Sequence, residues 1–560
     1  MPPAHPVESD VTSSPKNVKV RKRRISADDV HVVDKPTLKT AMSGTLVGNF
    51  MEWYDVGIYG YLAMTMGKIF LPDGSSTAQN LFGLATFAAT FVARPLGGVV
   101  FGQIGDKIGR QKVLATTLIM MASATAIIGI LPDASVWGIA ATIILVILKL
   151  LQGFSTGGEY AGATTFITEY APDRKRGYFA SFLDLGSYLG FAIGALLVTV
   201  LQVALGDATM EAWGWRIPFL VAIPLGAAAV YFRLKIEESP AYAAAQDASE
   251  KQNQHAVDPK MSESGSKGVF KHYWREIIVA IMLVAAANTV GYALTSYMPT
   301  YLTDSLKYDV LKGTAVTVPV LIVMSLCIPL AGKLSDKIGR RPVLWIGAFS
   351  SVLFAIPAFK LMALGHVWAT ATGLSLMAFS MLCYVSNIAS AVPAQFPTAS
   401  RYAGMGISYN IAVAVFGGTA GLIMETLVKT TGDNLMPAYW LMGTSAIGAI
   451  AIYFLRESAN RPLPGAMPSV ETEEEAHEIV RTQMDDELID HNDMPLEVVR
   501  LHHPDVLPED AAETVEVPES SLEKDEHAHR AKPEAPAAGA PSGAPAPKGD
   551  DDGGAPRRAL

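Results

Sequence analysis

Long apolar stretches recur along the chain, separated by shorter polar connections. Most hold about 20 residues or more, the length that an α-helix needs to cross a bilayer. Transmembrane β-barrels show short alternating segments instead. The pattern therefore predicts an all-α integral membrane protein with about twelve transmembrane helices. The predicted spans lie at about residues 41–66, 80–102, 112–131, 137–165, 178–203, 215–234, 276–301, 313–332, 343–363, 367–392, 403–427 and 436–456.

Polar segments divide these spans into two groups of six. Residues 237–275 form the predicted central loop, so we expect one six-helix bundle over 41–236 and a second over 276–457. Residues 1–40 are polar, and residues 458–560 are acidic and end in low-complexity sequence. Such composition buries too little apolar surface to offset the loss of chain entropy, so we expect a disordered N-terminal tail and a mostly disordered C-terminal tail.

Basic residues are distributed unevenly between the connections. A basic cluster at 19–24 precedes the first span. Lys and Arg then recur in every second connection, and the other connections contain almost no Lys or Arg. By the positive-inside rule, this bias places both tails and the central loop in the cytoplasm. We therefore expect a multi-pass protein of the cell inner (plasma) membrane.

Composition narrows the function classes. Hydrophobic residues make up 50% of the chain and charged residues only 17%, although both ends are polar. The two cysteines, Cys327 and Cys383, lie in apolar segments, which argues against a disulfide framework. We find no nucleotide-binding loop, metal-ligand cluster or hydrolase triad in the sequence. We therefore expect no enzyme activity, no cofactor, no metal and no nucleic-acid partner.

One short motif, G-x-x-x-D-x-x-G-R, occurs twice. The first copy joins the second and third spans, and the second copy joins the eighth and ninth. The copies match across the division into six and six, which predicts two pseudo-symmetric bundles with a cavity between them near mid-membrane. The motif residues are Gly102, Asp106, Gly109 and Arg110 in the first copy, and Gly332, Asp336, Gly339 and Arg340 in the second.

These loops are expected to act as a cytoplasmic gate. An aspartate near a helix N-terminus is stabilised by the helix dipole and can also pair with a basic residue of a neighbouring helix. Such pairs would hold the face shut in one state and break in the other. The alternative is that the basic residues only set topology, but the duplication favours the gate. Glu169, Arg176 and Arg401 lie in or beside a second pair of matching loops and are expected to belong to it.

Glu52 and Asp55 lie three residues apart inside the first span, on one helix face. A charge at this depth costs roughly 2.5–3.5 kcal/mol on insertion scales, and intramembrane carboxylates usually line a polar pathway. Two carboxylates in a poorly hydrated site cannot both ionise easily, so we expect one to take up a proton during transport. The alternative is a permanent ion pair with basic neighbours. Glu159 in the fourth span is a candidate second proton site.

Other polar residues of the spans are candidate partners of these carboxylates or ligands of a substrate. Arg94 and Lys149 need acidic partners, which Glu52, Asp55, Glu159 and Asp184 offer. Either basic residue could instead bind a substrate carboxylate, and the stem of Lys149 is long enough to snorkel.

Aromatic and amide side chains form a third group. Aromatic rings can enclose a quaternary ammonium through cation–π contact, although packing or an interfacial belt explains each ring alone. The second bundle nearly lacks intramembrane charge and offers neutral hydrogen-bonding groups. The candidates are Trp53, Tyr59, Asn288, Tyr292 and Tyr384.

The repeated loops resemble the signature of the major facilitator superfamily. Five further segments resemble its metabolite:proton symporter branch, and within it the bacterial symporters of proline and glycine betaine. They lie at residues 48–55, 94–98, 151–160, 169–177 and 213–219. Osmosensing members of that group often carry a C-terminal coiled coil, whereas residues 473–490 here predict only a short amphipathic helix without sustained heptads.

The resemblance implies the major facilitator fold and proton-coupled uptake of a small zwitterion by alternating access. Its partners would be protons, the zwitterion and membrane lipid. One alternative is a proton symporter of a small carboxylate such as citrate, shikimate or 2-oxoglutarate, but a dianion would need more unpaired cationic residues than the spans contain. Another alternative is a transporter-like osmosensor with vestigial flux.

Overall fold

Twelve long helices follow one another in the part of the chain that the computed structural model describes, which is residues 17–108, 110–234, 270–308, 310–495, 498–499 and 511–518. They match the predicted spans in number and order. The helices are α1 (Lys35–Phe70), α2 (Ser76–Ile108), α3 (Arg110–Ile130), α4 (Ile139–Tyr170), α5 (Arg176–Thr209), α6 (Arg216–Leu234), α7 (Trp274–Tyr292), α8 (Val310–Ile338), α9 (Arg340–Met362), α10 (Val367–Ala391), α11 (Thr398–Ala412) and α12 (Met436–Phe454).

Four wider π-helical turns interrupt or extend the described helices. Helix α7 continues through π turns at Ala293–Tyr297 and Tyr301–Ser305, and α11 continues through Val413–Gly417 into the helical segment Ala420–Thr431. A fourth π turn, Met210–Gly214, links α5 to α6. Such turns are rare and often accompany functional sites. The interruptions of α7 and α11 fall in the two helices of the second bundle that contribute aromatic side chains to the site.

The helices pack as two six-helix bundles. In the first bundle α1 packs on α5 and α2 on α4, and in the second α7 packs on α12 and α9 on α10. The bundles meet mainly where α5 contacts α8 and α2 contacts α11. Nine of the described helical segments are long and apolar enough to cross a membrane, and α2 and α6 add shorter apolar segments. The fold is therefore the predicted all-α, multi-pass membrane fold.

Helix α1 begins where its sequence predicts a start. Asp34 accepts a hydrogen bond from the backbone N–H of Thr37 at 2.9 Å, and Pro36 occupies the first turn. Hydrogen bonds from Thr37 lower the pKa of the Asp34 carboxyl. An N-cap aspartate followed by proline is a typical helix start.

Glycines allow α2 and α4 to approach each other at backbone distance. A Cβ added at Gly153 would lie 1.8 Å from the carbonyl oxygen of Thr90, and one added at Gly157 would lie 2.2 Å from that of Arg94. Small residues at such positions are typical of close helix pairs in membranes. The contact holds the stretch of α2 around Arg94 against α4.

Gly153→Ala is expected to destabilise the first bundle, because the added methyl forces α2 and α4 apart. Overpacking of this kind costs about 1–3 kcal/mol. The measurement is the melting temperature in detergent. Gly443→Ala in α12 is the matched control, because its methyl would meet no atom within 4 Å and gains the same helix propensity. Equal melting temperatures for the two variants would contradict the close contact.

The two ends of the chain fold against each other. Strand β1 (Asn17–Arg23) lies between β4 (Val498–Val499) and β5 (Ala511–Pro518), and β2 (His31–Val32) pairs in parallel with β3 (Ser469–Val470). A short helix, α13 (Glu473–Thr482), follows β3. A small core joins the two ends and contains Ile25, Val30, Val470, Ala476, Ile489 and Met494.

This arrangement corrects the expected disorder for residues 17–40 and 458–495. The apolar residues of that core are sparse in each tail, so neither segment alone predicts burial. The predicted helix over 473–490 ends at Thr482, and Gln483 then hydrogen-bonds the backbone of Ile25 in the other tail. The predicted loop residues 237–269, most of the distal tail, and Gly109 lie outside the described residues.

Candidate functional site

Glu52 of α1 and Arg94 of α2 form a fully buried ion pair. Arg94 Nη2 lies 2.9 Å from Glu52 Oε1, and both side chains are 0% exposed. Glu52 Oε2 and Arg94 Nε and Nη1 have no hydrogen-bond partner within the described structure. Buried polar atoms are nearly always paired. This ion pair therefore retains bonding capacity on both partners for a further polar group.

Aromatic rings cover the guanidinium of Arg94. Its Cζ lies 5.1 Å from the ring centre of Phe91 and 5.9 Å from that of Trp53. Cation–π contact of this kind stabilises a desolvated cation. The rings hold the guanidinium in place while leaving two of its nitrogens without a hydrogen bond.

Asp55 faces a different pair of helices. It lies 4.0 Å from Lys149 Nζ on α4 and accepts a hydrogen bond of 3.0 Å from the Thr125 hydroxyl on α3. Lys149 Nζ also lies 4.2 Å from the ring centre of Tyr59. Gln152 donates to the Thr125 hydroxyl at 2.7 Å. Lys149 is buried and does not snorkel to the interface, because Asp55 and Tyr59 provide its partners inside the bundle.

Glu159 of α4 completes a group of five charged residues that we call the N-bundle cluster: Glu52, Asp55, Arg94, Lys149 and Glu159. Glu159 accepts a hydrogen bond of 2.8 Å from the Thr117 hydroxyl. Both Glu159 and Asp55 lie within electrostatic range of Glu52. The cluster thus brings three carboxylates and two basic side chains together inside the first bundle.

Trp53 connects the N-bundle cluster to the bundle interface. Its ring centre lies 6.0 Å from that of Tyr188 on α5 and 6.0 Å from that of Tyr292 on α7. Phe91 contacts Tyr292 edge to face at 5.4 Å. The Trp53 indole N–H and the Tyr292 hydroxyl have no partner among the described residues. Arg94 and Trp53 therefore lie next to a helix of the second bundle.

A separate buried carboxylate lies on α5. Asp184 is 4% exposed and accepts a 3.0 Å hydrogen bond from the hydroxyl of Tyr160 on α4. The ring of Tyr160 stacks on that of Tyr409, on α11 of the second bundle, with centres 4.0 Å apart. Asp184 therefore also lies near the interface between the bundles.

The second motif copy joins the two bundles at one end of the helices, which we call the motif face. Asp336 accepts hydrogen bonds of 2.8 Å from the backbone N–H groups of both Gly177 and Tyr178, at the start of α5. Arg340 Nη2 pairs with Asp336 at 2.6 Å. A Cβ added at Gly332 would lie 2.6 Å from the Gly177 carbonyl oxygen. The motif glycine thus permits backbone contact, and the motif aspartate caps a helix of the other bundle.

A buried ion pair also crosses the interface at this face. Arg401 Nη1 lies 2.7 Å from Glu169 Oε1, and both side chains are 0% exposed. Arg401 Nη2 donates to the carbonyl of Pro464 at 2.7 Å, and Arg176 Nη1 donates to that of Arg461 at 2.9 Å. The segment after α12 therefore binds arginines of both bundles.

Basic residues of the α4–α5 connection bind the C-terminal tail. Lys175 pairs with Glu471 at 2.5 Å, and Arg174 lies 3.8 Å from Glu475. Arg176 pairs with Asp173. The sequence grouped Glu169 with Arg176 and Arg401, and in the structure it pairs with Arg401 of the opposite bundle. For Gly102, Asp106 and Arg110 the structure describes only their place in α2 and α3.

The family follows from comparison with known proteins. A model of the sugar (and other) transporter family matches residues 41–466. The chain belongs to this family of transporters. It is similar in fold to a solved structure of the major facilitator superfamily proton:xylose symporter XylE, with a TM-score of 0.63 and 18% identity over 76% of this chain and 98% of that one.

Relatives of higher identity are named as transporters of small solutes. The ectoine/proline transporter ProP of Corynebacterium glutamicum is 49% identical over 84% of this chain and 94% of its own. The proline/betaine transporter of Escherichia coli K12 is 41% identical over 81% and 91%. The glycine betaine/proline/ectoine/pipecolic acid transporter OusA of Dickeya dadantii is 39% identical over 84% and 94%.

The transporter brings together most, but not all, of the residues that its sequence singles out. Tyr384 packs inside the second bundle, 3.1 Å from a Cβ added at Gly448, and Asn288 donates to the carbonyl of Val284 in its own helix. We therefore leave Tyr384 and Asn288 out of the candidate site. Sequence reasoning gave no role to the neutral side chains that support the carboxylates, because a hydroxyl or amide in an apolar span does not indicate a partner. The hydroxyls of Thr117, Thr125 and Tyr160 donate to carboxylates, and the Gln152 amide donates to the Thr125 hydroxyl.

Proposed function

We propose that this transporter imports a small zwitterion of the proline and glycine betaine class together with protons, by alternating access, across the cell inner membrane. The observation that carries the proposal is the Glu52–Arg94 ion pair, which is buried beside the bundle interface and has unpartnered polar atoms on both residues. The names of the relatives support the substrate class, and the proton:xylose symporter of the same fold supports the coupling.

Arg94 is proposed to exchange one partner for another during transport. Its Nε and Nη1 lack hydrogen bonds, and each bidentate edge of a guanidinium combines one of these nitrogens with Nη2, which Glu52 holds. A substrate carboxylate that binds there competes with Glu52 for the positive charge. Glu52 then faces Asp55 and Glu159 without its counterion, which favours uptake of a proton. Substrate binding therefore raises the affinity of the transporter for the proton, and protonation raises its affinity for the substrate by the same factor, as linkage requires.

One proton per substrate follows from this scheme. Asp55 keeps Lys149 and Thr125 as partners whether or not Arg94 has turned to the substrate. Only Glu52 loses its counterion when the substrate binds. We therefore assign proton exchange to Glu52 and a supporting electrostatic role to Asp55 and Glu159.

The motif face is proposed to be the cytoplasmic gate. Its contacts cross the interface through Glu169 with Arg401 and through Asp336 with the start of α5. Both must break before substrate leaves on that side. The basic residues of this face support a cytoplasmic location for it and for both tails, by the positive-inside rule.

The alternative substrate is a small carboxylate such as citrate. Both intramembrane cations of the N-bundle cluster already have acidic partners, Arg94 with Glu52 and Lys149 with Asp55. A dianion would have to displace both partners at once, which leaves two buried carboxylates without counterions. The geometry therefore supports a zwitterion better.

Uptake into proteoliposomes tests the function. With an imposed proton gradient, we expect radiolabelled glycine betaine and proline to accumulate above the external concentration, and a protonophore to abolish the accumulation. Citrate under the same gradient is the comparison substrate. Accumulation of citrate but not of betaine or proline would favour the carboxylate symporter, and no accumulation of any solute would favour the osmosensor.

A further inference from the structure

Asp184 is a buried carboxylate that the proposed proton step does not use. One of its oxygens, Oδ1, accepts from Tyr160, and the other, Oδ2, has no hydrogen-bond partner in the described structure. No described Lys, Arg or His forms an ion pair with it. An ionised carboxylate at this depth needs a cation to compensate its lost hydration.

Tyrosines from both bundles surround Asp184. Tyr188, one turn further along α5, stacks against Trp53, and its hydroxyl would lie 3.3 Å from a Cβ added at Gly291 of α7. The rings of Tyr160 and Tyr409 stack in contact with one another. Aromatic faces beside a carboxylate are a favourable environment for a quaternary or secondary ammonium. The surroundings thus suit an organic cation better than a hydrated metal ion.

Tyr409 relates this carboxylate to the site of Arg94. It lies within electrostatic range of both Arg94 and Asp184. The two charged groups therefore lie near one aromatic side chain of the second bundle. Contacts on the first bundle also connect them, since Arg94 Cζ lies 5.9 Å from the ring centre of Trp53, which stacks on Tyr188 one turn from Asp184. A zwitterion carries its two opposite charges only a few bonds apart, so one molecule can meet both groups.

We propose that Asp184, with Tyr160, Tyr188 and Tyr409 around it, binds the cationic pole of the substrate, while Arg94 binds its carboxylate. This assignment rests on the proposed function, because it takes a zwitterion as the substrate. It makes Asp184 the residue that selects zwitterions over simple carboxylic acids. It also predicts that the substrate contacts both bundles, since Tyr160 lies on α4 and Asp184 on α5, while Tyr409 lies on α11.

Two ligands of nearly equal shape test the assignment. Glycine betaine carries a trimethylammonium group, and 3,3-dimethylbutyrate replaces its nitrogen by carbon and so keeps only the carboxylate. Binding of each to the purified full-length protein is measured by calorimetry at one fixed pH. The wild type should prefer betaine.

Asp184→Asn is expected to weaken betaine binding by about 30-fold or more, as loss of one partner of a buried charge pair does. Binding of 3,3-dimethylbutyrate should change by less than about threefold, because its carboxylate meets Arg94 alone. Asp207→Asn, at an exposed carboxylate of the same helix, is the matched control and should bind both ligands as the wild type does.

Tyr160→Phe provides a second, milder variant. It removes the hydroxyl that hydrogen-bonds Asp184 and keeps the ring that stacks on Tyr409. We expect it to weaken betaine binding about 3–10-fold and to spare 3,3-dimethylbutyrate, a loss typical of one net hydrogen bond.

The possible results distinguish a failure of the Asp184 assignment from a failure of the proposed function. Equal losses for both ligands in Asp184→Asn, or betaine binding by that variant within about threefold of wild type, would overturn the assignment. Nearly unchanged betaine binding by Asp184→Asn is also the result expected if Asp184 binds a proton instead of the substrate. If Asp184→Asn does not fold, selective loss of betaine in Tyr160→Phe supports the assignment and unchanged preference overturns it. A wild type that binds neither ligand would instead overturn the proposed function itself.

Discussion

Glu52→Gln is expected to abolish uphill accumulation of glycine betaine while leaving exchange of internal for external betaine within about threefold of the wild-type rate. Glutamine resembles protonated Glu52 and cannot release a proton. Arg94 remains buried at 0% exposure and loses its anionic partner, so the substrate carboxylate becomes its best counterion. Substrate-loaded transporter can still change its orientation, but the empty return step leaves a buried charge unpaired, which costs about 3–5 kcal/mol.

Both processes are measured in the same proteoliposomes, accumulation with an imposed proton gradient and exchange with betaine on both sides. Glu211→Gln is the matched control. Its carboxylate pairs with Lys68 at 2.5 Å but is 38% exposed, and exposed pairs contribute only about 0–1 kcal/mol. The control should accumulate betaine as the wild type does. Uphill accumulation by Glu52→Gln at the wild-type level would remove Glu52 from proton coupling.

Arg401→Gln is expected to open the motif face. The substitution leaves Glu169 buried at 0% exposure without the guanidinium that it contacts at 2.7 Å. Loss of one partner of a buried pair costs about 3–5 kcal/mol, and that cost falls on the closed state in which the pair forms. Opening of the face returns Glu169 to water. The equilibrium between closed and open states should therefore shift by at least about tenfold.

A cysteine at Ala161 reports this opening. Ala161 is 1% exposed on α4, and a Cβ added at Gly406 of α11 would lie 3.8 Å from its Cβ, across the bundle interface. The native Cys327 and Cys383 are first replaced by serine. We expect a membrane-impermeant maleimide added on the motif face to label Ala161→Cys at least about ten times faster in the Arg401→Gln background.

The control is Lys429→Gln, which removes an ion pair with Glu425 whose lysine is 71% exposed. It should leave the labelling rate unchanged, because exposed pairs contribute little. The double variant Glu169→Gln/Arg401→Gln removes both charges and should label more slowly than Arg401→Gln alone. Equal labelling rates in wild type and Arg401→Gln would show that this pair does not hold the face closed.

The helices and the charged residues of the site could be predicted from sequence because each produces a strong local signal. Twenty apolar residues in a row have few alternatives to a membrane helix. Glu52, Arg94 and Lys149 stand out for the same reason, as charges where charge is expensive. Which carboxylate pairs with which base could not be predicted, because it depends on how closely α2 approaches α4, and glycine contacts such as that of Gly153 with Thr90 decide this.

The neutral members of the site and the folded tail lacked such a signal. Tyr160 hydrogen-bonds Asp184, yet a tyrosine in an apolar span is ordinary. The core between the chain ends joins Ile25 to Val470, which are too far apart in sequence for any local pattern to connect them. The composition of the tails shows correctly that they contain few apolar residues. It does not show that these few residues pack against one another.

The most direct test of proton coupling through the Glu52–Arg94 pair is the number of protons that move with each substrate. Glycine betaine has no net charge, so every charge that crosses with it belongs to a coupled ion. In proteoliposomes, the membrane potential at which net betaine flux reverses is measured against the imposed betaine and proton gradients. We predict a ratio of one proton per betaine for the wild type, and for Glu52→Gln no net betaine flux driven by the proton gradient or by the membrane potential. A wild-type flux that reverses at the same potential whatever the proton gradient, or an unchanged ratio in Glu52→Gln, would contradict the mechanism.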